Sequence, residues 1–344
     1  MNFRIAIHER KGSFSDRWIE YCIENNVPFE KMNCFDNNII AKLKKFDALL
    51  WHWVFHVSGD VLAAKSLLQT LESMGKKVFP DTKTCWHYDN KIGQKYLLEV
   101  TGTALVPTYV FYHLEDALAW IEQTSFPKVF KLSKGSGSQN VRLVNSAAEA
   151  RKLAKRAFGQ GLKQSGGYFA DSNRKFKRVR QRKDYIGVLK RLPRAFLKAH
   201  ERINQYSREQ GYIYFQDFMP DNQFDIRVTI IGNRAFGYTR NVRKDDFRAS
   251  GSGSIDYDRR RIDLKCVKIA FDVAERIGSQ SLAFDFVIDH AGKPRITEIS
   301  YCFIPELVYN CSGHWDRQLN WKEGHIWPQD AILIDLLNRL KSRK

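Results

Sequence analysis

Residues 282–300 read LAFDFVIDHAGKPRITEIS, in which two apolar runs flank a short turn and each run carries one acid. The two acids are Asp285 and Glu298, thirteen residues apart. A carboxylate on a buried strand is costly unless it is paired or bound to a cation. If the runs form an antiparallel strand pair, the two carboxylates meet as hard-oxygen ligands for Mg²⁺. The alternative is that both acids face solvent or an arginine.

A loop rich in glycine and serine follows a short strand earlier in the chain. Residues 128–141 read KVFKLSKGSGSQNV, so Lys131 leads into the loop. Glycines let backbone N–H groups approach phosphate oxygens, and Lys131 adds a positive charge. The loop is not a Walker A loop, because no Gly-Lys-Ser/Thr tripeptide opens a helix. The stretch predicts a phosphate loop, with an ordinary hairpin turn and a surface lysine as the alternative.

Two further groups of residues could bind a ligand. A predicted strand ends in Gln216, Asp217, Phe218 and Met219, just before a proline. Four arginines follow it: Arg227, Arg240, Arg243 and Arg248. Clustered guanidinium groups suit carboxylates and phosphoryl oxygens, which they bind in a bidentate manner. For any single arginine, a solvated basic edge is the alternative.

The order of predicted strands and helices indicates a mixed α/β chain. Strands alternate with helices over residues 1–80, which predicts a small parallel α/β domain. Residues 82–102 are predicted as one helix, and a Gly-Asn turn at residues 232–233 predicts a hairpin. His52 follows an apolar strand, and strand ends bind ligands in open α/β sheets. His52 is therefore a candidate substrate residue, with a structural histidine as the alternative.

The charge of the chain is strongly positive and unevenly distributed. The net charge is +18, and the segment from Arg174 to Arg208 carries 13 Lys and Arg against two acids. This excess favours anionic partners. For the basic segment we consider a solvated helix pair, a clamp for an acidic glycan and a patch that contacts anionic lipid. Residues 159–167 and 250–254 have the glycine-rich composition of mobile lids.

Several classes of protein are excluded by composition. The longest apolar stretch, residues 46–57, is too short to span a bilayer, and the N-terminus lacks a signal-peptide pattern. The six cysteines show neither metal-type nor disulfide-framework spacing. We therefore expect a cytoplasmic protein, with peripheral attachment to the inner membrane face as an option.

Taken in order, these motifs resemble the ATP-grasp superfamily, and within it the carboxylate–amine ligases related to ribosomal-protein glutamate ligases. The resemblance covers about residues 82–310. Residues 311–324 are similar to ATP-grasp proteins of bacterial surface-polysaccharide clusters. The resemblance to the ATP-grasp superfamily implies a chain of the α/β and α+β classes, in which two α+β lobes grip ATP. The implied domains are a pre-ATP-grasp domain (1–80), a small lobe (81–219) with a basic insertion at about 160–210, and a large lobe (220–344).

The resemblance also implies roles for individual residues. Lys131, Arg227 and Arg240 are the implied catalytic residues, with Arg243, Arg248 and His52 as weaker substrate candidates. Asp285, Glu298 and Ser300 are the implied ligands for one or two Mg²⁺ ions, and Ser300 stands where the family usually has Asn. The implied ATP-binding residues are Lys91, Lys131, Gly135, Ser136, Gly137, Ser138, Gln216, Asp217, Phe218 and Met219.

The implied reaction is amide formation through an acyl phosphate, at the expense of ATP. Its partners would be a small-molecule or glycan carboxylate and an amine, for example a uronic-acid sugar and an amino acid. One alternative is an ATP-grasp kinase that phosphorylates a polyanionic hydroxyl acceptor. Another is a basic nucleic-acid-binding protein, although the sequence lacks the usual RNA- and DNA-binding motifs. A homo-oligomer is also expected, by analogy with relatives.

Overall fold

The computed structural model describes residues 3–135, 140–163, 208–243, 246–249 and 253–342. It consists of two compact units. The larger unit contains residues 1–88, 93–105 and 219–344, and the smaller unit contains residues 89–92 and 106–218. The predicted residues Ser136, Gly137 and Ser138, residues 164–167 and 250–252 of the predicted lids, and residues 174–207 of the basic segment lie outside the described part of the chain. The predicted domain boundaries stay a prediction.

The larger unit contains a four-stranded parallel sheet. Its elements are β1 (Ile5–His8), α1 (Phe14–Glu24), β2 (Phe29–Met32), α2 (Ile39–Leu43), β3 (Ala48–Leu50), α3 (Ser58–Ser73) and β4 (Lys77–Phe79), and α4 (Thr82–Cys85) follows. The first two residues of α5 (Lys91–Val100) belong to the smaller unit and the rest to the larger unit. The strand order is β2-β1-β3-β4. The central strands β1 and β3 are buried at every position, which matches their apolar runs. The predicted parallel α/β arrangement is confirmed.

The smaller unit contains a four-stranded antiparallel sheet covered by two helices. Its elements are β5 (Thr108–Phe111), α6 (Leu114–Gln123), β6 (Lys128–Lys131), β7 (Val141–Val144), α7 (Ala147–Phe158) and β8 (Ile213–Asp217). The strand order is β5-β8-β6-β7, so β8 pairs with both β5 and β6. Ser146 caps the N-terminus of α7, because its side chain accepts a hydrogen bond from the Glu149 amide. The apolar face of α7 packs in the core of this unit.

A seven-stranded sheet forms the rest of the larger unit. Its elements are β9 (Phe224–Ile231), β10 (Arg234–Asn241), β11 (Ile255–Asp256), α8 (Leu264–Ile277), β12 (Ser281–Ile288), β13 (Pro294–Ser300), α9 (Pro305–Tyr309), β14 (Gly313–Trp315), β15 (Trp321–Glu323) and α10 (Pro328–Lys341). The order is β13-β12-β9-β10-β14-β15, and β11 pairs with β10. Helix α8 begins at an Asp263 cap and ends at Gly278 with φ 72°. The predicted hairpin at residues 232–233 joins β9 to β10.

The prediction of a single helix over residues 82–102 is wrong. Helices α4 and α5 are separate, and Asp89 between them has φ 55°, a left-handed conformation that ends a helix. The Lys91 amide donates to the Ser133 carbonyl rather than to a preceding helical turn. Strands β14 and β15 were not predicted, because three-residue strands are too short to show an alternating pattern.

Candidate functional site

The acids singled out in the sequence lie in one row across the large antiparallel sheet. Asp285 on β12 lies opposite Glu298 on β13, and on its other side it lies opposite Arg227 on β9. Residues opposite each other in antiparallel strands place their side chains on the same face. Arg240 on β10 lies opposite Asp225, two residues before Arg227 and therefore also on this face. The strand register thus brings together four predicted residues and one, Asp225, that was not predicted.

Arg227, Arg240, Asp225 and Asp285 form a closed ion-pair network, which we call the charge quartet. Arg227 donates from Nε and from its terminal nitrogen to the two oxygens of Asp285, at 2.6 and 2.7 Å. Arg240 binds Asp225 at 2.7 and 2.5 Å and also reaches Asp285 Oδ2 at 2.9 Å. Side chains of these residues are at most 16% exposed. The quartet is electrically neutral, which makes its burial tolerable.

The quartet controls the protonation state of Asp285. Burial alone would raise the pKa of this carboxyl, but Arg227 and Arg240 hold it well below its usual range. Burial opposes the charge on Arg227, yet Asp285 raises the Arg227 pKa well above its ordinary value. Asp285 is therefore a carboxylate, and Arg227 a cation, throughout the ordinary pH range.

The charge quartet leaves few oxygen ligands in this row for a divalent cation. A carboxylate offers about four lone-pair sites, and the arginines use three of those on Asp285. Oδ1 therefore keeps one site, and Glu298 on the neighbouring strand is half-buried. Ser300 is less available, because its hydroxyl donates to the Cys302 carbonyl and accepts from the Cys302 amide, at 2.9 and 3.2 Å. Among the described residues, no cluster of three or more His, Cys, Asp or Glu could hold a metal.

Two predicted lysines are buried in the smaller unit. Lys131 is 7% exposed, and its Nζ donates to Gln216 Oε1 at 2.6 Å. The Gln216 Nε2 donates to Thr108 Oγ1 at 3.0 Å, so both ends of this amide are engaged. Lys91 is 5% exposed and donates to the Gly135 carbonyl at 2.7 Å. Gly135 has φ 103°, a conformation that favours glycine. The structure thus uses the Gln216 side chain to orient Lys131.

Sequence reasoning missed a third buried lysine, Lys128, beside the predicted ATP-binding residues 216–219. Lys128 Nζ donates to Asp217 at 2.6 Å and lies over the rings of Tyr109 and Trp120. Asp217 and the following Phe218 and Met219 are half-buried at the end of β8. A lysine inside an apolar strand is the signal that could have pointed to this pair, since such a lysine needs a partner.

The weaker substrate candidates already have partners within the larger unit. The Phe14 amide donates to His52 Nδ1 at 3.4 Å, so the ring proton sits on Nε2, which lies 3.3 Å from Cys302 Sγ. Burial lowers the pKa of His52 to about 3, and the ring is neutral. Arg248 binds Asp246 at 2.7 Å, and Arg243 lies 3.7 Å from the same carboxylate. The substrate roles of His52, Arg243 and Arg248 stay predictions.

Comparison with solved structures finds one fold over nearly the whole chain. A RimK domain ATP-grasp protein from Sphaerobacter thermophilus DSM 20745 is 14% identical, over 97% of this chain and 99% of that chain, with a TM-score of 0.55. D-alanine–D-alanine ligase from Bacillus anthracis is 13% identical, over 99% and 100%, with a TM-score of 0.58. Biotin carboxylase from Campylobacter jejuni, solved as a β-γ-ATP complex, is 13% identical, over 97% and 70%, with a TM-score of 0.59.

These likenesses show the ATP-grasp fold, as the sequence predicted. No family sequence model matches the chain, and no curated protein sequence is detectably similar to it. Among the described residues, no helix is both long enough and apolar enough to cross a bilayer.

Proposed function

We propose that this chain, which has the ATP-grasp fold, is an ATP-dependent carboxylate–amine ligase that forms an amide through an acyl phosphate. The observation that carries the proposal is the row of Arg227, Asp285 and Glu298 on three neighbouring strands. Such a row combines hard-oxygen metal ligands with a cation suited to phosphoryl oxygens. The resemblance implies that Lys91 and Lys131, which are buried in the smaller unit, bind a nucleotide phosphate tail.

The chemistry explains why the site needs so much positive charge. A carboxylate is a poor electrophile, and an amine displaces its oxygen only after phosphorylation creates a good leaving group. Negative charge on the phosphoryl oxygens must be stabilised during the transfer. Lys131 and Arg227 are the groups proposed to do this, and Arg240 is proposed to hold the carboxylate substrate. Gln216 keeps Lys131 oriented, and Asp225 does the same for Arg240.

Asp285 and Glu298 are the proposed ligands for Mg²⁺, which when bound neutralises phosphate charge. The single lone-pair site left on Asp285 and the engaged hydroxyl of Ser300 favour one ion over two. Arg227 must loosen its hold on Asp285 before it can turn fully to a phosphoryl group, because the same N–H groups would donate to both.

The proposed substrates are an amino acid or another amine and the carboxylate of a uronic-acid sugar. This finer proposal rests on the resemblance of residues 311–324 to polysaccharide-cluster proteins and on the net charge of +18. The segment from Arg174 to Arg208 would then bind an acidic glycan or an anionic lipid surface, and the latter would place the protein at the inner membrane face. Its concentrated charge supports an anionic ligand.

A phosphate- and ADP-release screen tests the reaction class. We expect ADP release from ATP and Mg²⁺ only when an amino acid and a uronic acid are both present. ADP release with a hydroxyl acceptor alone would instead establish the kinase alternative, which the basic segment would serve by binding a polyanionic acceptor. Titration with duplex DNA at moderate salt tests the nucleic-acid alternative, for which we expect no saturable binding.

A further inference from the structure

Two loops of the larger unit come together at one edge of the parallel sheet. Strands β1 and β3 are neighbours, yet the chain continues from β1 towards β2 on one side and from β3 towards β4 on the other. Such a switch point leaves a crevice outside the carboxyl ends of the strands, where ligands bind in open α/β sheets. The loop after β1 carries Arg10, which donates to the His52 carbonyl in the loop after β3. A cation therefore lies at the edge where this topology predicts a ligand.

Arg10 is held in place by the chain, but the chain does not use all of its donors. Its side chain donates to Asp60 Oδ2 at 2.5 Å and to the His52 carbonyl. These contacts engage only part of a guanidinium group, and its other N–H groups have no acceptor among the described residues. The side chain is 25% exposed, so a ligand can reach it. Arg10 is thus a fixed cation that still offers hydrogen bonds.

Asp60 is the residue that orients Arg10. It is fully buried in the first turn of α3, and its Oδ2 also accepts from the Val54 amide at 2.7 Å. Its other oxygen, Oδ1, has no donor among the residues that the structure describes. The Arg10 backbone is fixed too, because its amide donates to Ser15 Oγ and its carbonyl accepts from the same hydroxyl, both at 3.0 Å. Asp60 therefore depends on the Arg10 cation, and the same ion pair fixes the guanidinium group.

The crevice is close to the charge quartet. The His52 ring lies 3.3 Å from Cys302 Sγ, in the segment that follows β13. Burial raises the pKa of the Cys302 thiol, and the charges of Arg10 and Arg227 both oppose that rise. The two guanidinium groups are therefore within electrostatic range of one sulfur atom. A molecule bound at Arg10 would lie near the residues proposed for the transferred phosphoryl group.

We propose that Arg10 binds the carboxylate of an α-amino acid, which is the amine substrate, and that Asp60 positions Arg10 for this contact. The inference rests on the proposed ligase function, which needs an amine close to the phosphorylated carboxylate. Arg240 is proposed for the carboxylate that becomes phosphorylated, which leaves Arg10 for a carboxylate on the amine. Guanidinium groups bind carboxylates through paired N–H donors, and a fixed group loses little conformational entropy on binding. This site therefore selects amino acids over the corresponding decarboxylated amines.

Arg10→Lys is the main test, because it keeps a positive charge beside Asp60 but removes the planar set of N–H donors. Arg10→Ala is less informative, since it leaves Asp60 buried without its cation and destabilises the fold. Asp60→Asn retains Arg10 but weakens its orientation, and should act in the same direction with a smaller effect. Arg260→Lys is the matched control, because Arg260 is an exposed arginine of the same unit that binds Asp258.

Calorimetric titration of the full chain, with and without Mg·ADP, measures the affinity for the common amino acids and for the corresponding amines, for example serine and ethanolamine. We expect the wild type to bind at least one amino acid about tenfold more tightly than its decarboxylated amine. R10K should weaken binding of that amino acid about tenfold to hundredfold, as loss of charge-assisted hydrogen bonds would. R10K should leave the affinities for the amine and for Mg·ATP unchanged, and R260K should change none of them.

The possible outcomes are distinct. Equal wild-type affinity for the amino acid and its amine would overturn the inference, as would wild-type affinity for the amino acid in R10K. Absence of amino-acid binding under both conditions would overturn it as well. A parallel loss of Mg·ATP affinity in R10K would assign Arg10 a structural role, and Arg10-dependent binding of glucuronic acid would assign it to the other substrate, so either result overturns the inference. Failure of the proposed function is read separately, from titration of the wild type with Mg·ATP alone.

Discussion

The two units hold their charged groups in different ways. In the larger unit, the charge quartet links side chains to side chains on paired strands, and its charges cancel. In the smaller unit, Lys91, Asp89 and Glu209 instead bind the backbone of a loop, while Lys131 is held by a neutral amide. The first arrangement links side chains across paired strands, whereas the second places buried lysines beside the backbone of a loop. We therefore expect the quartet to matter most for stability and the lysines to matter most for nucleotide binding.

Asp285→Asn tests the stability side of this contrast and should have the largest effect. It leaves two buried arginines with one carboxylate between them, and breaking a buried ion pair typically costs about 3–5 kcal/mol. Urea unfolding monitored by circular dichroism measures the loss. Asp258→Asn is the control, because Asp258 binds an exposed arginine on the surface of the same unit, and no measurable change is expected. A D285N variant as stable as the wild type would refute the role given to the quartet.

Lys131→Ala tests the expectation that the buried lysines matter most for nucleotide binding. We expect ADP formation to fall at least 100-fold, in line with the loss of one group that stabilises transition-state charge. The unfolding midpoint should change less than in D285N, because K131A deprives the neutral Gln216 amide of one hydrogen bond, whereas D285N leaves two buried guanidinium groups short of a carboxylate. Lys152→Ala, an exposed change on α7, is the matched control and should retain wild-type turnover. Wild-type turnover in K131A would remove this lysine from the mechanism.

The Lys128–Asp217 pair is intermediate between the two arrangements. It is a side-chain ion pair like those of the quartet, but Asp217 is 26% exposed. Asp217→Asn should therefore cost about 1–2 kcal/mol of stability, less than D285N, because the new amide oxygen can still accept from the buried Lys128 and its position is partly open to water. Equilibrium urea unfolding of the two variants under the same conditions gives the comparison, and a larger loss in D217N would reverse our ranking.

Acid sensitivity should arise mainly in the larger unit. Burial lowers the pKa of His52 to about 3 and that of His87 to about 4. Below about pH 6.5 these histidines bind protons in the unfolded chain but stay neutral in the folded chain. The free energy of unfolding therefore falls as the pH is lowered. The slope is at most about 1.4 kcal/mol per pH unit for each histidine. Urea unfolding between pH 7.5 and 5 should show this fall in the free energy of unfolding, and His52→Asn should make the fall smaller. A flat profile in the wild type would contradict this account.

How far the sequence predicts the structure differs between these regions. Asp285 and Glu298 lie opposite each other, as the sequence predicted, but the turn alone does not pair them. The turn sets a register with Ile288 opposite Pro294, and a register shift between Asp285 and Phe286 then brings Glu298 opposite Asp285. The same spacing could not show that Asp285 is held by Arg227 and Arg240, since those contacts depend on how β9 and β10 join the sheet.

The contacts at the start of the glycine-rich loop were even harder to predict from the sequence. Glu209 and Ser133 are 76 residues apart, and no periodic pattern connects them. Asp225 and Lys128 were passed over for a related reason, because each acts through a partner on another strand. Local patterns thus predicted the residues that could contact a ligand, but not the residues that hold them in place.

The most direct test of the central claim is a calorimetric titration of the wild-type chain with ATP, with and without Mg²⁺. We predict one saturable site per chain whose affinity rises on addition of Mg²⁺, and loss of that magnesium effect in Glu298→Gln. Absence of binding, or binding of equal strength with and without Mg²⁺, would contradict the proposal that Asp285 and Glu298 serve a nucleotide-bound metal.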